Sequence, residues 1–301
     1  MKPYYSISPE SEAAYQTFMD NRTMELDYWN ADFKAMTRGN TQAIEAISHL
    51  DDLTITWEKA GAIQLERILI PGAEEGKYIY YIHGGGWTNG EPQWGHYCTV
   101  EIARKCRRNI LAVDYRLAPE VSYPVSHTDC LDGYKWMLAQ GIPAENIVFL
   151  GESTGGNLVL TTAVGAARDG IPMPAAICSV SPVVDLSFPM PSYHARMERD
   201  CILPKNQSSI VKDLYVKGAD TTDPFMSPIY ADFTGFPPVY FEVSTEEMLF
   251  DDTIRTHEKL LRCGVDSSLK VWEGMWHTFY MMPFPETEEA HQNIAEFFKR
   301  F

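Results

Sequence analysis

Ser153 stands in the pattern Gly151-x-Ser153-x-Gly155, directly after the apolar run Ile147-Val148-Phe149-Leu150. A strand feeding a tight, glycine-flanked turn and then a helix exposes one serine hydroxyl at the top of a sheet, where a base can reach it. Small residues at 151 and 155 let that turn close against its neighbours. Acyl transfer by such a hydroxyl needs a base to take its proton, an acid to orient the base, and donors for the developing oxyanion. In a parallel-sheet architecture these follow in the order serine, acid, histidine. His277 meets the order: it lies in the loop Glu273-Gly274-Met275-Trp276-His277-Thr278-Phe279, after the strand expected at 268–272. His257 and His291 fall inside helical patterns, where solvated surface roles are expected. The acid candidates are Glu246 and Glu247, just past the apolar run 239–243. Neighbours on a loop point in different directions, so at most one of them should meet His277. Asp251 and Asp252 open a helical stretch, where capping and dipole stabilisation account for them. The oxyanion donors are expected from His83-Gly84-Gly85-Gly86-Trp87, whose three glycines let backbone N–H groups approach a substrate oxygen. The backbone N–H of Thr154 completes the set. The glycine run lacks the Lys-Ser/Thr pair of a phosphate-binding loop.

The elements that must hold these residues are legible as alternation. Strands are expected at 53–57, 63–70, 77–82, 110–113, 147–150, 175–180, 239–243 and 268–272. Helices are expected at 11–18, 41–50, 99–105, 129–138, 158–168, 251–262 and 286–301. From residue 77 onward strand and helix alternate, which predicts an α/β fold with a mostly parallel central sheet flanked by helices. Residues 187–228, rich in Pro, Met and charge with a helix expected at 204–216, interrupt the alternation. They read as an insertion that packs with the N-terminal helices as a cap. The expected organisation is therefore 1–50 as the N-terminal part of a helical cap, 51–186 as core, 187–228 as cap insertion and 229–301 as core.

The chain of 301 residues carries a net charge of −16, which argues against nucleic acid and anionic membrane surfaces as partners. There is no apolar h-region at the N-terminus and no stretch long enough to span a bilayer, so a soluble, cytoplasmic protein without membrane insertion is expected. None of the six cysteines forms a C-x-x-C pair, and they read as small reduced core residues. No histidine spacing points to a metal.

The combination HGGGW (His83 to Trp87), DYRLAPE (Asp114 to Glu120), GESTGGN (Gly151 to Asn157), SPVVDLS (Ser181 to Ser187), the segment from Asp223 to Asp252 and WHTF (Trp276 to Phe279) resembles the hormone-sensitive-lipase-like esterases of the α/β-hydrolase fold. The resemblance implies a serine carboxylesterase capped by helices, with oxyanion donors on Gly85, Gly86 and Thr154 and the acid on Glu247, the first residue of an acid-x-Leu-x-Asp-Asp pattern. Glu152 and Thr154 stand where the family commonly has Asp and Ala; the β-branched Thr154 is expected to narrow the acyl site. Asp114, Arg116 and Glu120 are expected to form a structural polar network beside the oxyanion turn. Members of the family often pair through the sheet edge, so a homodimer is an expectation.

Ser153, His277 and Glu247 are thus the expected catalytic residues, with no metal and no organic cofactor. The expected partner is a small-molecule ester of a short acyl group, acetyl to butyryl, in a narrow apolar pocket drawn from Tyr4, Tyr5, Tyr28, Trp29, Phe33 and Trp87. The alternatives on the same fold are a non-catalytic small-molecule receptor, whose mark would be loss of the base or acid, and a peptidase, for whose usual added domain the chain has no room.

Overall fold

The computed structural model describes residues 7–301, so Tyr4 and Tyr5 lie outside the described residues. Eight strands form one sheet: β1 (Thr54–Ala60), β2 (Ile63–Leu69), β3 (Tyr78–Ile82), β4 (Asn109–Asp114), β5 (Ile147–Glu152), β6 (Ala176–Val180), β7 (Val239–Ser244) and β8 (Ser267–Trp272). Their spatial order is β1-β2-β4-β3-β5-β6-β7-β8. Pairing is antiparallel for β1 with β2 and for β2 with β4, and parallel from β4 to β8. The helices are α1 (Pro9–Asn21), α2 (Phe33–Glu45), α3 (Cys98–Cys106), α4 (Val125–Ala139), α5 (Thr154–Asp169), α6 (Ser192–Ala195), α7 (Gln207–Val211), α8 (Phe250–Arg262) and α9 (Pro285–Phe298).

Period-two alternation divides the apolar residues of the strands between two cores. Tyr80, Ile82 and Phe149 face α4 and α5, with Leu260 of α8 in the same cluster. Ile79, Tyr81, Val148 and Leu150 face α3 and α9. Because helices cover both faces, β3 and β5 are buried along their whole length, which is why they read as continuous apolar runs. All six cysteines are free and five of them are buried. Among the described residues no helix is long and apolar enough to cross a membrane.

Three expectations are corrected. The second helix spans Phe33–Glu45 rather than 41–50, because the Asp32 carboxylate accepts the Ala35 N–H and starts it earlier. The helix expected at 204–216 is the short α7 followed by a wider π-helical turn, Lys212–Val216, ending at Lys217 with φ 48°. Asp114, Arg116 and Glu120 form no mutual network. Arg116 instead makes a two-pronged contact with Asp129 at 2.7 and 2.9 Å, and Glu120 pairs with Lys34 at 2.9 Å. That stretch still braces the glycine turn, through the Ala118 N–H donating to the Trp87 carbonyl at 2.7 Å.

The N-terminal segment meets the 187–228 stretch through polar contacts. Arg22 donates to the carbonyls of Glu198 and Asp200 at 3.0 and 3.1 Å, Leu26 and Asn206 exchange two hydrogen bonds, and the Tyr28 hydroxyl donates to Asp213 at 2.6 Å. Helix α2 sits elsewhere, against the loop after the glycine turn: Trp94 donates to Thr41 at 3.1 Å and Gly90 to Thr37 at 3.1 Å.

Candidate active site

Ser153 joins β5 to α5 with φ 56° and ψ −118°, a conformation few non-glycine residues adopt. The surroundings enforce it. A Cβ on Gly155 would collide with the carbonyls of Ile82 and His83, and one on Gly151 with the carbonyl of Gly155. The Ser153 N–H is tied to the Val180 carbonyl at 2.8 Å. The turn therefore lifts the hydroxyl to the carboxyl edge of the sheet, where ligands meet open α/β folds.

His277 comes from the loop after β8, and its Nε2 lies 3.0 Å from Ser153 Oγ. Its Nδ1 lies 2.5 Å from Glu247 Oε2. The second carboxylate oxygen of Glu247 accepts from the Ser181 hydroxyl at 2.8 Å and from the Ser244 N–H at 2.7 Å. With three of its four lone-pair directions engaged in this way the carboxylate has a fixed orientation. Burial disfavours the imidazolium of His277, but the hydrogen bond and charge of Glu247 outweigh it and hold the pKa above 6.5. Glu246 turns the other way and pairs with Arg199 at 3.1 Å. Of the two adjacent glutamates, only Glu247 reaches the ring. An alcohol, an imidazole and a carboxylate in this line can pass a proton from oxygen to ring while the carboxylate balances the new charge.

The glycine turn faces the serine. Gly84 N–H donates to Glu152 Oε1 at 2.7 Å, so it is committed to structure. Glu152 also receives the Tyr81 hydroxyl at 3.0 Å and the Tyr280 hydroxyl at 3.2 Å. Burial lifts its pKa to about 7 despite these bonds. Gly85 and Gly86 have φ 109° and 66°, left-handed values that suit glycine. Gly85 N–H has no protein acceptor among the described residues. Thr154 is the first residue of α5, so its N–H has no intrahelical acceptor. Gly86 N–H is already engaged, donating to Thr154 Oγ1 at 2.7 Å.

A narrow cleft of about 20 Å³ over Ser153 is lined by Gly86, Trp87, Thr154, Val183, Val211 and Leu249, among others. It shares Phe188, Leu203, Gln207 and Leu249 with an outer chamber of about 260 Å³. The expected aromatic lining is corrected in part. Trp87 does line the cleft, stacked on Tyr215 with centroids 4.9 Å apart. Tyr28 is occupied with Asp213, Trp29 is 69% exposed and Phe33 packs into the main core. The cleft wall comes from residues 183–211 and Leu249 instead.

Several functional contacts carry no mark in the sequence pattern. Ser181 has φ 47° and supports Glu247 from the end of β6. Asp200 is wholly buried; it accepts the N–H groups of Ile202 and Leu203 and that of Met248, tying the insertion to the acid loop. The solvated role of His291 and side-chain capping by Asp251 and Asp252 are also corrected, although both aspartates do stand in the first turn of α8. His291 is buried and donates to the Tyr280 carbonyl at 2.8 Å, and burial lowers its pKa to about 4. Asp252 caps nothing: it is buried and accepts the Val184 N–H at 2.8 Å and the Tyr193 hydroxyl at 2.9 Å. Asp251 accepts the Ser192 N–H at 2.9 Å rather than capping its own helix.

Comparison with known proteins agrees with this architecture. A family model described as the alpha/beta hydrolase fold matches residues 79–281. The chain is 30% identical to an acetyl-hydrolase of Streptomyces hygroscopicus, covering 76% of this chain and 77% of that protein. It is 30% identical to an esterase of Acinetobacter venetianus, covering 82% and 86%. The solved structure of an esterase from the bacterial hormone-sensitive lipase family superposes with a TM-score of 0.88 at 29% identity, covering 98% of this chain and 99% of that one. The chain belongs to the hormone-sensitive-lipase-like carboxylesterases of the α/β-hydrolase fold, and it is a carboxylic-ester hydrolase.

Proposed function

We propose that this esterase hydrolyses short-chain acyl esters through a Ser153–His277–Glu247 triad and an acyl-enzyme. The observation that carries the reading is the unbroken line from Ser153 Oγ through His277 to Glu247, at 3.0 and 2.5 Å. Ser153 Oγ attacks the ester carbonyl while His277 Nε2 takes its proton. Glu247 keeps Nδ1 protonated, so Nε2 is free to accept, and it balances the imidazolium that forms. The tetrahedral oxyanion is met by the N–H groups of Gly85 and Thr154, with Gly86 behind them on the Thr154 hydroxyl. His277 then protonates the leaving alcohol, and water repeats the sequence on the acyl-enzyme.

The small cleft over Ser153 supports a short acyl group, and the larger outer chamber supports the alcohol half. The resemblance to an acetyl-hydrolase agrees with that assignment. The 187–228 stretch acts as the cap that walls the outer chamber and part of the cleft. Ser153→Ala is expected to fold normally and to lose turnover and reaction with an organophosphate. Substantial residual hydrolysis refutes the nucleophile. With the native enzyme, p-nitrophenyl acetate and butyrate should be cleaved with higher kcat/KM than the decanoate; the reverse order refutes the short-acyl reading.

A further inference from the structure

Gly86 N–H is one of the expected oxyanion donors, yet it donates to the side chain of Thr154 at 2.7 Å. A hydroxyl offers two acceptor lone pairs and one donor. Here one lone pair is used by Gly86, and no acceptor for the Thr154 O–H is found among the described residues. The side chain lines the cleft together with Ser153 and Gly86, while the residue as a whole is 1% exposed. Its hydroxyl hydrogen is thus left without a partner among the described residues, in a residue that shares the cleft with Ser153.

The geometry points to Thr154 as a catalytic residue in its own right: its side-chain hydroxyl takes the hydrogen bond of Gly86 and donates its own hydrogen to the oxyanion. This inference rests on the Ser153 mechanism proposed above and adds a donor to it. The hole then consists of the Gly85 N–H, the Thr154 N–H and the Thr154 O–H, with Gly86 polarising the last from behind. A hydroxyl that is itself accepting a hydrogen bond is a stronger donor, and the bond it makes to an anion is of the stronger, charge-assisted kind.

The competing picture is a hydroxyl that merely plugs the hole and swings aside when substrate arrives. Burial argues against it. Turning the hydroxyl away would leave a polar group in an almost fully enclosed place without its partner, and threonine on a helix has few χ1 wells to turn into. Nor can Gly86 advance to do the work directly. The turn is pinned on both sides, by Gly84 N–H on Glu152 at 2.7 Å and by the Trp87 carbonyl on Ala118 N–H at 2.7 Å. Trp87 itself is buried and stacked on Tyr215.

The test compares Thr154→Ser, Thr154→Val and Thr154→Ala with the native enzyme, using p-nitrophenyl acetate and a trifluoromethyl ketone that forms a tetrahedral adduct with the serine. Thr154→Ser should stay near native. Thr154→Val and Thr154→Ala should lose about 100-fold in kcat with little change in KM, as removal of one oxyanion donor does. The ketone should lose affinity by the same factor, a readout that a purely structural role would leave alone. Circular dichroism checks folding, and the smaller Thr154→Ala serves if the valine is not accommodated. A loss below about tenfold in the folded variants, or a gain in kcat on removing the hydroxyl, overturns the inference. Labelling of the native enzyme by an organophosphate at Ser153 is scored separately: no label there defeats the triad, whereas labelling with unchanged Thr154 variants defeats only the hydroxyl donor.

Discussion

Glu247→Gln separates a charge from a shape in the base-orienting group. In the native protein Glu247 Oε1 accepts two donors, the Ser181 hydroxyl and the Ser244 N–H, at 2.8 and 2.7 Å. A glutamine has one acceptor oxygen, and this double-donor place claims it. The amide NH2 then faces His277 Nδ1 and forces that nitrogen to accept. The proton moves to Nε2, which points at Ser153 Oγ, and the base is lost. The opposite orientation would set an NH2 against the Ser244 N–H and leave a buried donor unpaired, at a cost of about 1–3 kcal/mol. That alone makes the productive rotamer rarer by about 5- to 150-fold. Loss of the carboxylate charge opposite the imidazolium adds to it, and the equivalent change in serine proteases totals about 10⁴ in kcat, or about 5.5 kcal/mol. A loss of that order is expected in p-nitrophenyl acetate hydrolysis, with unchanged circular dichroism. Glu246→Gln, which touches the Arg199 ion pair and the Thr245 hydroxyl at 3.0 Å but not His277, should stay within about threefold of native, since exposed-partner ion pairs contribute ~1 kcal/mol or less. A folded Glu247→Gln enzyme within tenfold of native, or a larger loss from Glu246→Gln, refutes the reasoning.

Three further outcomes follow from the same contacts. The base must be neutral to act, and Glu247 holds the His277 pKa above 6.5, so kcat/KM should rise with pH along an acid limb whose midpoint lies above 6.5; a midpoint below it in a pH–rate profile contradicts the pairing. Glu242 is buried with its pKa pushed up to about 8, accepting from Tyr240 at 2.8 Å and Trp272 at 2.9 Å. A raised folded pKa gives stability that is full below the unfolded value and is lost as pH climbs through about 8, so Glu242→Gln should shrink the fall in thermal midpoint between about pH 6 and pH 8.5, and an equal fall in both proteins counts against it. Gly155→Ala places a Cβ against the Ile82 and His83 carbonyls and should destabilise by about 3 kcal/mol or more in urea unfolding; a neutral effect would mean the turn is looser than described.

The groups proposed to react were legible because each follows a strand pattern at its carboxyl end: a continuous apolar run before Ser153 and the glycine turn, and the alternating, half-buried edge strand β8 before His277. The sheet follows from the same alternation of strands and helices. Loop position left Glu246 and Glu247 open and only the family resemblance favoured Glu247; its physical basis lies in Ser181, 66 residues away, and in the Ser244 N–H. Ser181 and Asp200 escaped for that reason: a polar residue buried by long-range contact looks like any loop residue in the sequence. His291 and Asp252 are different, because their burial was readable. His291 falls on one helical face with Thr287, Ala290, Ile294 and Phe298, and Asp252 with Thr256 and Leu260. The cleft wall was misjudged because aromatic content says nothing about which segment folds back over the serine.

Glu152 has a consequence for the enzyme under heat. Its backbone directly precedes Ser153, the proposed nucleophile, and its carboxylate clasps Gly84 at the head of the glycine turn. The two halves of the machine are therefore riveted to one residue, and neither can drift without dragging the other. Warming such an enzyme should not blunt it by degrees: each molecule stays fully competent until that joint gives way, so surviving activity should follow the population of intact molecules.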